Sequence, residues 1–417
     1  MISVLGLGFV GLTTGLGFAK TGFKTYGFDV DENRLNSLKK FKIPFHEPHL
    51  EKVLRETNNK TFSLDTNFEQ AIKDSEAIFL CVGTPSKEDG SADLKYIYAA
   101  IEQVLNVETD KLQVIITKST VPPSTVSTKI IPFVKEKLSQ LPNRKIVFAS
   151  NPEFLREGYC WEDFIEPDRI VIGVEDDIAK DILNKIYLPF NAPIHYVSYN
   201  SAEYIKYLSN TLLSTLISYA NEMSIIANEI GNIDIPKAFR ILHEDKRWYG
   251  TPAGMSKYVY PGCGYGGYCL PKDTSALIQA SIENGFKPKI LSANLEINNT
   301  IKHYIADAIE SKINKSDTIG ILGLSFKPES DDVRITPTKA IIDLLIQKGY
   351  KNLYAYDPIS ISEFKRYYPD MELDYCNSLE EILSKTNNVV ILTGWKEFIQ
   401  NKDEIQGKNV FDYRYIY

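Results

Sequence analysis

Ile2-Ser3-Val4-Leu5-Gly6-Leu7-Gly8-Phe9-Val10-Gly11 decides the fold of this chain. The apolar run Ile2 to Leu5 reads as a strand, the three glycines that follow it as a tight turn, and the residues beyond them as a helix. A second strand, Thr25 to Phe28, ends at Asp29. Glycines let backbone approach a pyrophosphate, the helix N-terminus stabilises its charge, and an acid about 20 residues on accepts from ribose hydroxyls. A glycine triplet alone is weak evidence; in this strand, turn and helix context it predicts a dinucleotide held by Gly6, Gly8, Phe9, Val10, Gly11 and Asp29. Asp29 would repel a 2′-phosphate, which favours NAD over NADP, while Arg34 five residues later pulls the other way.

Working outward, Ala77 to Val82, Gln113 to Thr117, Lys145 to Ala149 and Arg169 to Ile172 read as further strands with helical stretches between several of them. That alternation is the pattern of a doubly wound, mostly parallel sheet, placed at residues 1–196. Val82-Gly83-Thr84-Pro85 and Lys118-Ser119-Thr120-Val121-Pro122 follow strands, at the carboxyl edge where such sheets bind ligands. At Asn200 the pattern changes to one long helix, reaching Gly231, with a cap residue and Glu203 three positions on. A second helical stretch near Lys287 to Lys312 completes a helical middle region, 197–312, whose apolar helices would pack within the chain or form a dimer seam. From 313 to 417 strands and helices alternate again, without a full glycine fingerprint, so by pattern this lobe need not hold a dinucleotide. The fold class expected is α/β: two Rossmann-like parallel-sheet lobes joined by a long-helix central region.

The 417 residues suggest two to three domains at about 150 residues each. With 43% hydrophobic and 24% charged residues, disorder is excluded. A formal charge of −7 argues against a duplex nucleic-acid binder but not against a local basic pocket for a small anion. The five cysteines are scattered, with no CxxC and no zinc spacing, so no metal is expected and a reduced cytoplasm is the simplest setting. Neither a signal peptide nor an apolar run of about 18 residues is visible, and no membrane partner is expected.

The segment 261–273 carries the chemistry. Gly262, Gly264, Gly266 and Gly267 allow close backbone approach to a ligand, and Cys269 lies four residues before Asp273 with Lys272 near it. If a helix starts near Leu270 or Pro271, its dipole and the ammonium favour a thiolate at Cys269. An arbitrary cysteine is more often a small buried apolar residue, and Cys263 is a rival in the same loop. Lys206 and Asn210 lie one helical turn apart and could reach one ligand atom, although such a pair is often just a solvated stripe.

These residues resemble the UDP-glucose 6-dehydrogenases of the UDP-glucose/GDP-mannose dehydrogenase family. The resemblance runs through GLGFVG at 6–11, VGTP at 82–85 followed by DGSADL, KSTVP at 118–122, NPEFLREG at 151–158, KYLSN at 206–210, GYGGYCLPKD at 264–273 and GLSFKPESDDVR at 323–334. It implies an NAD-binding first lobe, a helical dimerisation centre and a UDP-binding last lobe in a homodimer. It also implies oxidation of the C6 alcohol of UDP-glucose to UDP-glucuronate, a polysaccharide precursor, with two NADH released through a thiohemiacetal and a thioester on Cys269.

By the same resemblance Asp273 and Thr120 orient or activate water, and Lys206 and Asn210 stabilise the oxyanion. Glu153 does general-base work and Glu157 assists proton transfer or closes the cofactor site. Phe154, Leu155 and Arg156 line the sugar-nucleotide cleft with Tyr258, Val259, Tyr260, Pro261, Gly262, Gly266 and Lys327. Arg34, Thr84, Lys272 and Arg334 belong to the cofactor side. The stretch WYGTPAGMSKYVYP departs from the family pattern, so no role is carried to Arg247. Other readings are a dehydrogenase of UDP-N-acetylhexosamines or GDP-mannose, a two-electron alcohol dehydrogenase in which Cys269 is dispensable, and a catalytically silent NAD and nucleotide-sugar binder.

Overall fold

The computed structural model describes the chain except His46, Asp65, Ser86, Asp89, Gly90, Glu157, Thr251, Pro252, 256–260, Tyr268, Cys269, Lys272, Asp273, 275–277, 279–281, Glu283 and Asn284, and except some side chains of the helix Tyr199–Ile230. It forms two compact units, Met1–Thr215 and Leu216–Tyr417. Among the described residues no helix is long and apolar enough to cross a membrane.

In the first unit the strands are β1 Ile2–Leu5, β2 Thr25–Phe28, β3 Phe62–Ser63, β4 Ala77–Leu80, β5 Leu112–Thr117, β6 Lys145–Ser150, β7 Ile170–Gly173 and β8 Ile194–Val197. They lie in the order β3-β2-β1-β4-β5-β6-β7-β8. Side chains alternate across the sheet as a period of two requires. Phe79, Val114 and Ile116 pack on one face with Leu12, Leu16 and Phe18 of the helix Phe9–Lys20. Ile78, Leu80 and Ile115 pack on the other with Ile97, Ile101 and Val104. Six strands run parallel; β7 and β8 pair in parallel with each other, but β7 meets β6 antiparallel. The order reverses between β1 and β4, so the turns after these two strands flank the crevice where open α/β sheets bind ligands.

The helix begins at Tyr199 rather than Asn200, and its expected capping box does not form. Ser198 Oγ accepts the Ser201 amide at 3.2 Å, while Asn200 Oδ1 accepts from Ser127 Oγ at 2.7 Å. Glu203 turns inward and accepts the Val126 amide at 2.9 Å. The free amides at the start of the short helical turn Val126–Ile130 outcompete the helix's own start for this carboxylate.

The second unit holds β9 Ile319–Leu322, β10 Leu353–Tyr356, β11 Asp374–Tyr375, β12 Asn388–Ile391 and β13 Asn409–Asp412, all parallel, in the order β11-β10-β9-β12-β13. The helices Lys289–Glu310 and Pro337–Gln347 give Ile305, Ile309, Ile341 and Leu345 to its core with Ile319 and Ile321. Glu222 is buried and accepts the amides of Lys289 at 2.6 Å, Ile290 at 2.9 Å and Leu291 at 3.1 Å, capping the first of these helices with a carboxylate.

Candidate active site

The three glycines after β1 do different work. Gly6 has φ +91, and a Cβ there would lie 2.7 Å from the Cys81 carbonyl oxygen, so this bend excludes any side chain. A Cβ on Gly11 would overlap the carbonyl of Gly6. Gly8 begins the helix Phe9–Lys20, and a Cβ on it would meet nothing within 4 Å. That open space above a helix N-terminus is the cradle a pyrophosphate needs. Phe9 leans on Phe45, ring centroids 4.2 Å apart.

Asp29 Oδ2 accepts the Leu7 amide at 2.6 Å and the Arg34 guanidinium at 2.7 Å, and Oδ1 accepts the Asp31 amide at 2.9 Å. Burial alone pushes this carboxyl up, but the Asp31 and Leu7 amides and Arg34 outweigh it and hold it below the ordinary range. Arg34 is thus committed to Asp29 rather than open to a 2′-phosphate.

The second sheet repeats the scaffold without the cradle. Gly323 has φ +97, and Asp357 accepts the Leu324 amide at 2.8 Å. Where the first turn has Gly8, this one has Ser325, whose buried side chain lies 3.0 Å from the Lys327 carbonyl.

At the carboxyl edge of the first sheet Thr84 Oγ1 donates to the Thr120 carbonyl at 2.9 Å, bringing those two loops together. Ser119 Oγ donates to the Val82 carbonyl at 2.6 Å, a contact sequence reasoning did not anticipate. Glu153 and Lys206 form a nearly buried ion pair at 2.9 Å. Lys206 also lies 5.5 Å from the Phe154 ring, which Arg169 covers from 4.3 Å. Asn210, one turn further on, is exposed. Arg156 is engaged by Asp163 at 2.6 Å, the guanidinium drawing that carboxyl down. Glu153, Phe154, Leu155 and Arg156 line one cavity of about 530 Å³ together with Lys118, Asn151, Tyr187 and Ser209.

In the second unit Leu270, Pro271 and Thr274 are helical, and Thr274 Oγ1 donates to the Leu270 carbonyl at 2.8 Å, as a helix starting near Leu270 requires. Cys269, Lys272, Asp273, Tyr258, Val259 and Tyr260 lie outside the described residues, as does Glu157 of the first unit. Ahead of them, Asn298 accepts the Tyr265 amide at 2.8 Å and donates to its carbonyl at 3.1 Å. Gly267 donates to the Arg334 carbonyl at 2.9 Å, and Gly266 packs too closely on Ile335 to carry a side chain. Exposed Pro261 precedes Gly262, which lies against the Arg414 guanidinium. Cys263 is buried, which pushes its thiol up to about 12 and disqualifies it as the thiolate. Lys327 is exposed, 5.4 Å from the Phe326 ring, and Arg334 pairs with Asp332 at 2.8 Å.

A pyrophosphate cradle at the switch point of a doubly wound sheet, with an acid that has taken the nearby arginine for itself, defines an NAD-binding protein of the doubly wound α/β class. Comparison with known proteins makes this specific. Three domain models of one family match: the UDP-glucose/GDP-mannose dehydrogenase NAD binding domain at residues 1–191, central domain at 200–300 and UDP binding domain at 320–417. The chain belongs to the UDP-glucose/GDP-mannose dehydrogenase family. It is 36% identical to the UDP-glucose 6-dehydrogenase YwqF of Bacillus subtilis, covering 100% of this chain and 93% of that protein. Among solved structures, it is similar to GDP-mannose dehydrogenase from Pseudomonas aeruginosa, with a TM-score of 0.86, 29% identity and coverage of 100% and 96%. It is also similar to a UDP-glucose dehydrogenase from Pyrobaculum islandicum, with a TM-score of 0.56, 34% identity and coverage of 100% and 94%.

Proposed function

We propose that this chain oxidises UDP-glucose at C6 to UDP-glucuronate in two hydride transfers, acting as a cytoplasmic homodimer. In this reading residues 1–196 bind NAD, 197–312 form the helical dimerisation region, and 313–417 bind the UDP moiety. NAD supplies the hydride acceptor when bound over Gly6 to Gly11, with Thr84, Thr120, Glu157, Lys272 and Arg334 on the cofactor side.

The first oxidation converts the alcohol to an aldehyde, which has no good hydride to give until its carbon becomes tetrahedral. The Cys269 thiolate adds to C6, forming a thiohemiacetal and holding the half-oxidised sugar in place. Loss of the second hydride leaves a thioester on Cys269. Water, oriented by Asp273 and Thr120, attacks C6, the C–S bond breaks, and the carboxylate and thiol are released. Lys206 and Asn210 stabilise the oxyanion at each tetrahedral stage, and Glu153 carries protons to and from it. Phe154, Leu155, Arg156, Tyr258 to Gly262, Gly266 and Lys327 hold the sugar nucleotide.

The observation that carries this reading is the nearly buried Glu153–Lys206 pair at 2.9 Å, a cation set beside an acid that lines a cavity with the other residues of 151–156. Desolvating two charges is costly unless geometry and hydrogen bonds offset it, so such a pair beside a cavity supports a reacting site over a plain binding module. The identities of 36% and 32% to UDP-glucose 6-dehydrogenases of Bacillus subtilis and Pseudomonas aeruginosa support the glucose substrate. The similarity to a GDP-mannose dehydrogenase keeps GDP-mannose in the test panel. The experiment is to incubate the protein with NAD⁺ and UDP-glucose, UDP-N-acetylhexosamines or GDP-mannose, and to count NADH formed per sugar consumed. Two NADH per UDP-glucose is expected. A ratio of one, preference for another sugar, or binding without turnover defeats the corresponding part.

A further inference from the structure

Lys118 stands at the end of β5 with only 4% of its surface exposed. Among the described residues its ammonium has one good acceptor, Asn151 Oδ1 at 2.9 Å; the Asn151 carbonyl and the Tyr187 hydroxyl lie at 3.5 Å. The rings of Phe164 and Tyr187 lie 5.9 and 6.0 Å away. Lys206, the other buried cation here, sits on a carboxylate, whereas none of these contacts of Lys118 is to an acid. A buried charge with so little compensation is costly, and a neutral side chain of similar volume would stabilise the fold.

What the ammonium does hold is the junction of two loops. Asn151 Oδ1 receives both Lys118 Nζ and the Tyr187 hydroxyl, while Asn151 Nδ2 donates to the Val171 carbonyl at 2.9 Å. Asn151 opens the loop that carries Glu153, and Lys118 opens the loop that carries Thr120. Lys118 also lines the cavity that Glu153 and Phe154 line. We infer that Lys118 is a positioning residue of the reaction, acting through Asn151 to fix the NPEFLREG loop so that Glu153 meets Lys206 beside Thr120. The inference rests on the activity proposed above. Burial lowers the Lys118 ammonium to about 8, against the pull of Cys81 and Glu153 and helped by Lys206, so it still carries charge near neutrality.

The test is K118M, in which a neutral chain of similar length replaces the ammonium, compared with wild type and C269S for thermal midpoint, kcat and the KM values for NAD⁺ and UDP-glucose. K118M is expected to melt at or above the wild-type temperature, to lose about ten- to a hundred-fold in kcat, and to keep KM for NAD⁺ within about two-fold, because a shifted loop misplaces reacting groups without touching the cofactor turn. Wild-type kcat in K118M overturns the assignment. So does a markedly lower melting temperature, which makes Lys118 part of the scaffold, or a raised KM for NAD⁺. If the wild type itself turns over no sugar nucleotide, the proposed activity fails instead, and the two failures are told apart.

Discussion

Asp29 Oδ2 holds the Leu7 amide at 2.6 Å, tying the end of β2 to the turn that follows β1. The same oxygen holds Arg34. This carboxylate therefore shapes the cofactor turn and also engages Arg34, a nearby cation that could recruit a 2′-phosphate. Replacing it with Ser releases Arg34 and removes the acid proposed to accept from the ribose. D29S should raise KM for NAD⁺ about ten-fold, the equivalent of one hydrogen bond to a charged group, and improve NADP⁺ use relative to NAD⁺. Steady-state kinetics with both cofactors checks this; an unchanged ratio of kcat/KM values would show that Asp29 only holds the turn. Because its folded pKa is depressed, the stability Asp29 contributes is present above the ordinary carboxylate range and is lost as pH falls through the folded value.

Gly8 and Gly11 separate binding from folding. Gly11→Ala drives a methyl into the Gly6 carbonyl and should cost several kcal/mol, about 3 or more, seen as poor expression or a low melting temperature. Gly8→Ala places its methyl in open space, so the protein should melt near the wild-type temperature but lose most of its NAD⁺ affinity by calorimetry. Tight NAD⁺ binding by Gly8→Ala would remove the pyrophosphate from this turn.

The local features of this fold were legible in the sequence. The strand, glycine turn, helix and acid of the first 29 residues are set by short-range sterics and hydrophobic period, and they appear where expected. β3 and β11, two residues each, are too short to show a period. Glu203 reads locally as half of a capping box, yet it bonds Val126, 77 residues away, because a distant helical turn offers unpaired amides. Lys118 and Asn151 meet across 33 residues of sequence, and no spacing rule connects them. Side chains that bridge loops from different strands leave no periodic mark; such contacts follow from the sheet order rather than from neighbouring residues.

The two cysteines of the glycine loop should respond oppositely to Ser. Cys263 is buried with its thiol pushed up, so C263S should cost about 1–3 kcal/mol of stability for a poorly paired hydroxyl and leave most of the activity. C269S removes the proposed nucleophile of the second oxidation, and uronate formation should fall at least a thousand-fold while NAD⁺ still binds. Mass spectrometry of wild type quenched in turnover should find an acyl adduct in the peptide containing Cys269 and none on the one containing Cys376. Undiminished uronate production by C269S would leave the two-electron reading standing.

Glu203 gives the protein an internal pH response in the mildly acid range. The residue is only 2% exposed, one carboxyl oxygen accepts Val126, and the other has no partner among the described residues. Burial, opposed by the Val126, Ser124 and Thr125 amides, raises its pKa to about 6. A carboxyl whose folded pKa exceeds its unfolded value favours the folded state while protonated, and that contribution is lost as pH rises through the folded value. Between the ordinary glutamate value and about 6, the loss amounts to about 2 kcal/mol. E203Q is neutral throughout, so its stability relative to wild type should increase from pH 4.5 to pH 7.5 by roughly that amount. Urea unfolding of both proteins at these two pH values measures the difference directly. A parallel pair of curves would mean that the ionised carboxylate is fully compensated by the amides of 124–126, and the helical turn at Val126 would then be its true partner rather than an imperfect one.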